Sequence, residues 1–228
     1  MMLLAVLSGF LLAVAVPALY RLAGSYIGWG LALLPASLTA YFASLIPTIR
    51  GGERLLIETP WMPGLGITLD FMVDGLSLVF ALLISGIGTF ILIYAGSYLK
   101  GHKDLARFYV IMLSFMASML GLVLSDNLIT FFVFWELTSI TSYMLIGFNH
   151  EKAGSRDAAL QAMLITAGGG LAMLAGLILL IENIENELDP MLDPLLDKAI
   201  IKKGKNLYIN ISDQVFAPLH QDIRPGKY

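Results

Sequence analysis

The residue with the greatest chemical potential is a glutamate in the middle of a long apolar run. The run is LITFFVFWELTSITSYMLIGF, residues 128–148, and the acid is Glu136. As a helix at about 1.5 Å per residue, this run matches roughly the thickness of the hydrocarbon core of a bilayer. An acid at that depth costs about 3 kcal/mol on insertion scales. Glu136 is therefore a candidate for an ion or proton path, with a purely structural buried acid as the alternative.

Hydroxyl groups follow Glu136 at helical spacing. Ser139 and Tyr143 share its helix face at i+3 and i+7 and are candidates for supporting polar contacts. Such hydroxyls could hydrogen-bond the acid or hold waters that relay a proton. Serine and threonine in membrane helices also bond simply to carbonyls one turn back, so both interpretations stay open.

The charge state of Glu136 depends on its neighbours. Alone in hydrocarbon it would hold a proton and be neutral, whereas beside a cation it would stay charged. Movement of that cation would change its proton affinity, and the pair would act as a switch. Because the six apolar segments contain no lysine, arginine or histidine, the cation would come from elsewhere.

Other ionisable residues lie at the ends of the apolar segments. His102 and His150 are in polar loops on the same predicted side and could feed protons inward, since histidine changes charge near neutral pH. The alternative is a solvated loop that sets the topology. Asp74 and Asp126 precede apolar segments and are candidates for helix capping. We expect no metal site and no cofactor, because no cluster has metal-ligand spacing.

The composition is that of an integral membrane protein. The 228 residues are 57% hydrophobic and 14% charged, whereas a soluble domain is about a quarter charged. The net charge of −3 indicates no nucleic-acid binding. There are no cysteines, which excludes disulfides, zinc thiolate sites and iron–sulfur ligation.

Six apolar segments are long enough to span a membrane, which predicts an all-α, polytopic helix bundle. They cover residues 2–20, 28–49, 75–98, 108–125, 128–148 and 158–181. We interpret the first as an uncleaved span and not a signal peptide, because no basic residue precedes Arg21.

The basic residues of the loops predict the orientation. Two of them, Arg50 and Arg54, lie on one side. The other side holds six: Arg21, Lys100, Lys103, Arg107, Lys152 and Arg156. The larger set is expected in the cytoplasm, with the amino terminus outside. We therefore expect a multi-pass protein of the cell inner or plasma membrane.

Two regions differ from the spans. Residues 50–74 contain two β-like runs between glycines and prolines, which predicts a small hairpin over the outer surface. Residues 182–228 form a polar tail of unknown role, distinct from a membrane domain at 1–181. Within this tail, residues 191–201 are expected to form a short amphipathic helix.

The sixth segment has small residues at four-residue spacing, at Gly168, Ala172 and Gly176. This predicts a face on which another helix approaches closely. The triple glycine at 168–170 could also loosen the helix locally.

Three strings carry a resemblance to a known family. They are DFMVDGLSLVF at 70–80, FYVIMLSFMASMLGLVLSDNLITFFVFWELTSITSYMLIGFNHE at 108–151, and ALQAMLITAGGGLAMLAG at 159–176. Together they closely resemble the large A subunit of the multisubunit Mrp-type Na⁺/H⁺ antiporters. The same pattern is similar, more loosely, to the antiporter-like membrane subunits of respiratory complex I.

The resemblance implies a helical antiporter-like fold and a transporter subunit, with other subunits as partners and Na⁺ and protons as transported ions. It maps Glu136 onto the family's glutamate in the fifth span, which pairs with a lysine in the seventh span. Proton movement is thought to be coupled to switching of that pair.

The chain departs from the family pattern at about residue 182, where the seventh span is missing. We therefore expect an amino-terminal fragment, a truncated reading frame or a fusion. Two further hypotheses stay open. One is a non-transporting membrane scaffold. The other is a proton-pumping subunit of a complex I-type assembly without a redox site of its own.

Overall fold

A computed structural model describes residues 2–24, 27–62, 67–186, 200–203, 206–211 and 214–216. The chain divides into two compact units, Met1–Met173 and Leu174–Tyr228. The boundary predicted at residue 181 lies inside a helix, and the division of the chain into domains at that point stays a prediction.

The described residues contain six helices that are long and apolar enough to cross a membrane, and one short helix. The predicted polytopic helix bundle is confirmed. The helices are α1 (Met2–Ala23), α2 (Ile27–Ser44), α3 (Ile46–Arg50), α4 (Gly75–Tyr98), α5 (Leu105–Leu124), α6 (Leu128–Ile146) and α7 (Ala153–Asn186).

The second predicted span is divided into two helices at Leu45. Helix α2 ends at Ser44, and α3 begins at Ile46 with Pro47 in its first turn. Proline suits a first helical turn because its missing N–H would have no partner there. Helix α7 is continuous through residues 168–170, so the triple glycine does not interrupt it.

Helix α5 lies at the centre of the first unit and packs against α1, α4 and α6. Tyr109, Leu113 and Leu120 on this helix are fully buried. Gly9 brings α1 close, since a Cβ at that position would lie 2.8 Å from Cβ of Ala117. Small residues at such contacts let membrane helices gain dispersion energy without a hydrophobic driving force.

Two strands form the hairpin predicted between the second and third spans. β1 (Leu55–Met62) and β2 (Ile67–Val73) pair antiparallel, with Leu55 opposite Val73 and Glu58 opposite Asp70. The position of this hairpin on the outer surface stays a prediction.

The described part of the second unit contains the end of α7 and a three-stranded antiparallel sheet of β3 (Ile200–Lys203), β4 (Asn206–Ile211) and β5 (Gln214–Phe216). The helix expected at 191–201 is wrong at its carboxyl end, because Ile200 and Ile201 belong to β3. There they pair with Ile209 and Tyr208. β-branched residues favour such pairing over a helix. Residues 191–199 lie outside the described residues.

Candidate functional site

The start of α6 is held by Asn127, and this fixes the register of the helix that carries Glu136. Its Oδ1 accepts a hydrogen bond from the backbone N–H of Thr130 at 2.7 Å. Its Nδ2 donates to the carbonyl of Thr68 and to Oδ2 of Asp70, both at 2.8 Å. The turn before α6 is thereby joined to strand β2.

The capping role expected of Asp126 is therefore wrong. The residue directly before the first helical residue is Asn127, and its extended backbone (φ −121°, ψ 156°) lets its side chain reach the exposed N–H groups of the first turn. Asp126 uses its backbone N–H instead, which donates to the carbonyl of Asp70 at 2.9 Å.

Phe134 determines which side of α6 faces α5. Its ring lies against Gly121 of α5 so closely that a Cβ there would overlap the ring. On its other side it meets Phe71 of β2, with ring centroids 6.0 Å apart. Glu136 follows Phe134 by two residues, which is a rotation of about 200° around the helix axis, so Glu136 points away from α5.

Glu136 lies against Gly170 of α7. A Cβ on Gly170 would overlap Oε1 of Glu136 and would lie 3.2 Å from Nε1 of Trp135. Among the described residues, neither Oε1 of Glu136 nor Nε1 of Trp135 has a hydrogen-bond partner, and both atoms are buried. An unpaired buried polar atom is costly and calls for an explanation.

The hydroxyls near Glu136 bond to the backbone of their own helix. Ser139 Oγ donates to the carbonyl of Trp135 at 3.1 Å, and Thr138 Oγ1 donates to the same carbonyl at 2.7 Å. Ser139 is buried, while Tyr143 is 36% exposed. Within the described residues this is the local bonding pattern, and the supporting role of Ser139 and Tyr143 stays a prediction.

His102 and His150 come together at one end of the bundle, in the loops before α5 and before α7. Both line a cavity of about 60 Å³. Nδ1 of His150 lies 3.0 Å from Nη1 of Arg107, whose guanidinium lies over the ring of Phe148. The ring of His102 is 5.6 Å from that same ring.

An ion pair joins the same two loops. Lys103 Nζ lies 2.5 Å from Oε1 of Glu151, and both side chains are exposed. The hydrogen bond from Lys103 lowers the pKa of Glu151, and the bond to Glu151 raises the pKa of Lys103. This pair and the histidines place both loops at the same end of the helices.

Asp74 caps α4, as the sequence predicted. Its carboxylate accepts from the backbone N–H of Ser77 at 2.8 Å, and Ser77 Oγ accepts from the backbone N–H of Asp74 at 2.8 Å. The bond from the Ser77 N–H, together with that from its hydroxyl, lowers the pKa of Asp74. This reciprocal arrangement supports a structural role.

Sequence reasoning missed Trp135 and Gly170 as neighbours of the acid. The triple glycine was a signal, but the sequence does not show which glycine faces α6. Within the described residues no group of three or more histidines and acids could hold a metal ion.

Two family profiles match this chain. One is described as NADH-ubiquinone oxidoreductase (complex I), chain 5 N-terminus, and covers residues 61–109. The other is described as NADH:quinone oxidoreductase/Mrp antiporter, TM, and covers residues 125–209. The helix bundle and these matches define an antiporter-like membrane protein.

Two similar proteins identify the family more specifically, and both are named as A subunits of Na(+)/H(+) antiporters. The A1 subunit of an Na(+)/H(+) antiporter from Staphylococcus haemolyticus is 43% identical over 178 residues, which is 78% of this chain. The corresponding A subunit from Alkalihalophilus pseudofirmus is 47% identical over 77% of the chain. The chain spans 22% of the length of each relative.

Solved structures agree with this family. The Mrp complex from Dietzia sp. DQ12-45-1b contains a chain that matches with a TM-score of 0.71 and 32% identity, over 86% of this chain and 21% of that one. An archaeal membrane-bound sulfane sulfur reductase shares the fold, with a TM-score of 0.68 and 17% identity over 86% of this chain and 41% of that one. The chain thus belongs to the family of Mrp-type antiporter A subunits, which is related to the membrane subunits of complex I.

Proposed function

We propose that this chain forms part of the A subunit of an Na⁺/H⁺ antiporter, in which Glu136 is the proton-linked acid. The observation that carries the proposal is the buried Oε1 of Glu136, which has no hydrogen-bond partner among the described residues. The relatives named as antiporter A subunits support the exchange of Na⁺ for protons.

The environment of Glu136 explains how it could carry a proton. No cation forms an ion pair with its carboxyl among the described residues. A positive side chain from another subunit, or from sequence beyond the described residues, would favour the charged form. Approach of that charge would then release a proton from Glu136, and its withdrawal would let a proton bind. An antiporter needs such a coupling between proton binding and the movement of a second charge.

The loop cavity is the proposed cytoplasmic entry for protons. His102 and His150 both line it, and histidine exchanges protons near neutral pH. Arg107 lies beside His150, with Nη1 3.0 Å from Nδ1 of the ring. Ser139 and Tyr143 extend along α6 from Glu136 toward this end and are the proposed supporting contacts.

The contact between these loops also supports the proposed orientation. Lys103, Arg107, Lys152 and Arg156 lie in or next to the two loops that the ion pair joins. Positive residues concentrate on the cytoplasmic side, so the amino terminus is proposed to lie outside a plasma or inner membrane. The proposed partners are the other subunits of a multisubunit antiporter.

The test is Glu136→Gln in the complete antiporter, measured as sodium-dependent proton flux in everted membrane vesicles. Glutamine keeps the size and polarity of the side chain but binds no proton, so flux is expected to fall by about 100-fold or more, the lower end of what a proton-transfer group typically contributes. Glu58→Gln, an exposed acid of β1, is the matched control and should keep full flux. Full flux in Glu136→Gln would remove the acid from the mechanism.

A complex I-type proton pump is the second candidate, because both family profiles name that enzyme. The chain would then be an ion-translocating subunit, with electron transfer in its partners. Copurification with hydrophilic redox subunits would favour this function, and copurification with antiporter subunits alone would exclude it.

A non-transporting scaffold is the third candidate, and the absence of a cation beside Glu136 among the described residues favours it. Reconstituting the chain with and without its partner subunits separates the two roles. Flux that depends on Glu136 would exclude the scaffold.

A further inference from the structure

The three consecutive glycines of α7 have different surroundings. A Cβ on Gly168 or Gly169 would meet nothing within 4 Å. A Cβ on Gly170 would overlap Oε1 of Glu136 and would lie 3.2 Å from two atoms of the Trp135 indole. Gly170 is buried, while Gly168 and Gly169 are exposed.

We propose that Gly170 is a positioning residue for Glu136, because the missing side chain admits the carboxyl to a gap between Trp135 and the backbone of α7. This inference rests on the proposed function of Glu136. The carboxyl oxygen in the gap has no hydrogen bond, so the shape of the gap holds it there. That oxygen is buried, although the Glu136 side chain as a whole is only half-buried.

No charged group supplies an alternative explanation among the described residues. Among the side chains that the structure describes, the titratable ones on the elements around α6 are Asp70 on β2, Arg107 and Tyr109 on α5, Tyr143 on α6 itself, and Arg156 and Asp157 on α7. None of these forms an ion pair with Glu136 or a hydrogen bond with its Oε1. The contact with Gly170 is therefore the strongest local influence on the acid.

A methyl group at position 170 would move the carboxyl and leave the fold intact. The atom it meets is the far end of a flexible side chain, which can rotate away. Gly170→Ala should therefore displace the carboxyl of Glu136 from the gap, and proton flux that depends on this carboxyl should fall.

The experiment compares Gly170→Ala with Gly169→Ala and Gly168→Ala in the complete antiporter, with Glu136→Gln alongside. Sodium-dependent proton flux is measured in vesicles. At a fixed pH, flux in Gly170→Ala should fall by about tenfold or more, because misplacing a reacting group by about 1 Å can cost as much as about 100-fold, while both control glycine variants keep the flux of the unaltered protein. Unchanged flux in Gly170→Ala would overturn the proposal.

A chemical measurement makes the result independent of transport. A hydrophobic carbodiimide reacts with carboxyls in a membrane, and mass spectrometry follows its addition to Glu136 over time. Labelling should be faster in Gly170→Ala, in which the carboxyl lies outside the gap, and unchanged in both control glycine variants. If Glu136→Gln keeps full flux, the proposed function fails, yet labelling still tests the positioning role. If Glu136→Gln loses flux but the Gly170→Ala labelling curve is unchanged, the positioning role alone fails.

A double variant tests the proposal if Gly170→Ala does not assemble in the membrane. Glu136→Asp combined with Gly170→Ala shortens the acid by one methylene and makes room for the added methyl group. Recovery of the protein in the membrane by this double variant would support a clash with the carboxyl. Absence of both variants from the membrane would show that Gly170 serves the fold and would overturn the proposal.

Discussion

Phe134 and Glu136 lie two residues apart on α6 and contact opposite neighbours. Phe134 packs on Gly121 of α5, whereas Glu136 lies against Gly170 of α7. One side of α6 is thus bound to the centre of the bundle, and the other presents the acid. Packing on the first side sets the direction of the acid on the second.

Gly121→Ala tests the packing of Phe134. The new Cβ would overlap three atoms of the ring, so the ring must shift and its packing against Phe71 must change. Overpacking of this kind destabilises by about 1–3 kcal/mol. Thermal unfolding of the purified protein in detergent should show the loss. Gly86→Ala, which has open space around the added methyl group, should be neutral or stabilising by up to about 1 kcal/mol. Equal losses in the two variants would contradict this packing.

Asn127→Ala should weaken the junction between α6 and the hairpin. It removes the cap on Thr130 and two hydrogen bonds to Thr68 and Asp70. A cap contributes about 1 kcal/mol and a hydrogen bond to a charged group about 1.5–3 kcal/mol, so the expected loss is about 2–4 kcal/mol. Limited proteolysis should show faster cleavage in residues 55–73. Asp126→Ala is the control and should cleave at the original rate; faster cleavage there would indicate that Asp126 holds the turn.

Asp74→Ala should lower stability by about 1 kcal/mol at neutral pH, through loss of the cap of α4. The pKa of Asp74 is held below its ordinary value of 3.8 by the hydrogen bonds from Ser77. A lowered folded-state pKa gives a contribution that is present above 3.8 and lost as the pH falls through the folded value. The stability difference between the two proteins should therefore shrink in acid. A difference that stays constant down to the lowest pH at which the protein folds would contradict this origin.

The ion pair between Lys103 and Glu151 should hold the two loops together across a wide pH range. The pKa of Glu151 is lowered from 4.5, so its contribution is present above that value and lost on acidification. The pKa of Lys103 is raised from 10.5, so its contribution is present below that value and lost in alkali. Because both side chains are exposed, salt also weakens the contact.

Spin labels at Lys100 and Asn149 would report the distance between these loops. The distribution of distances between the two labels should be narrow near neutral pH and should broaden in acid, in alkali and in high salt. Glu151→Gln is expected to show the broad distribution at every pH. A narrow distribution in that variant would indicate that His150 and Arg107 hold the loops without the ion pair.

The spans and their order were predictable because a membrane imposes a simple rule. Every backbone polar group must be bonded within the lipid, so a long apolar run becomes a helix. Residues 75–98 became α4 with those same limits. Asp74 was predictable as a cap for a similar reason, since its partner Ser77 is local in sequence.

Predictions failed where two local candidates competed or where a strand partner was distant in the chain. Asp126 and Asn127 are adjacent and both can cap a helix, and the turn joined to Asp70 selected Asn127. Ile200 and Ile201 fit an amphipathic helix in sequence, but pairing with β4 placed them in a strand. The sequence next to each of these residues does not show its partner, which is Asp70 for the turn before α6 and strand β4 for the two isoleucines.

The residues alone predict that this chain spans a membrane, with an acid at the depth of the hydrocarbon. Length and apolarity support both predictions, because they act on each segment separately. Only the packing of the helices decided that Phe134 contacts α5. It also decided that Glu136 contacts Gly170 and neither of the two glycines before it. Rotation of a helix about its axis depends on contacts between segments, and adjacent identical residues carry no information about it.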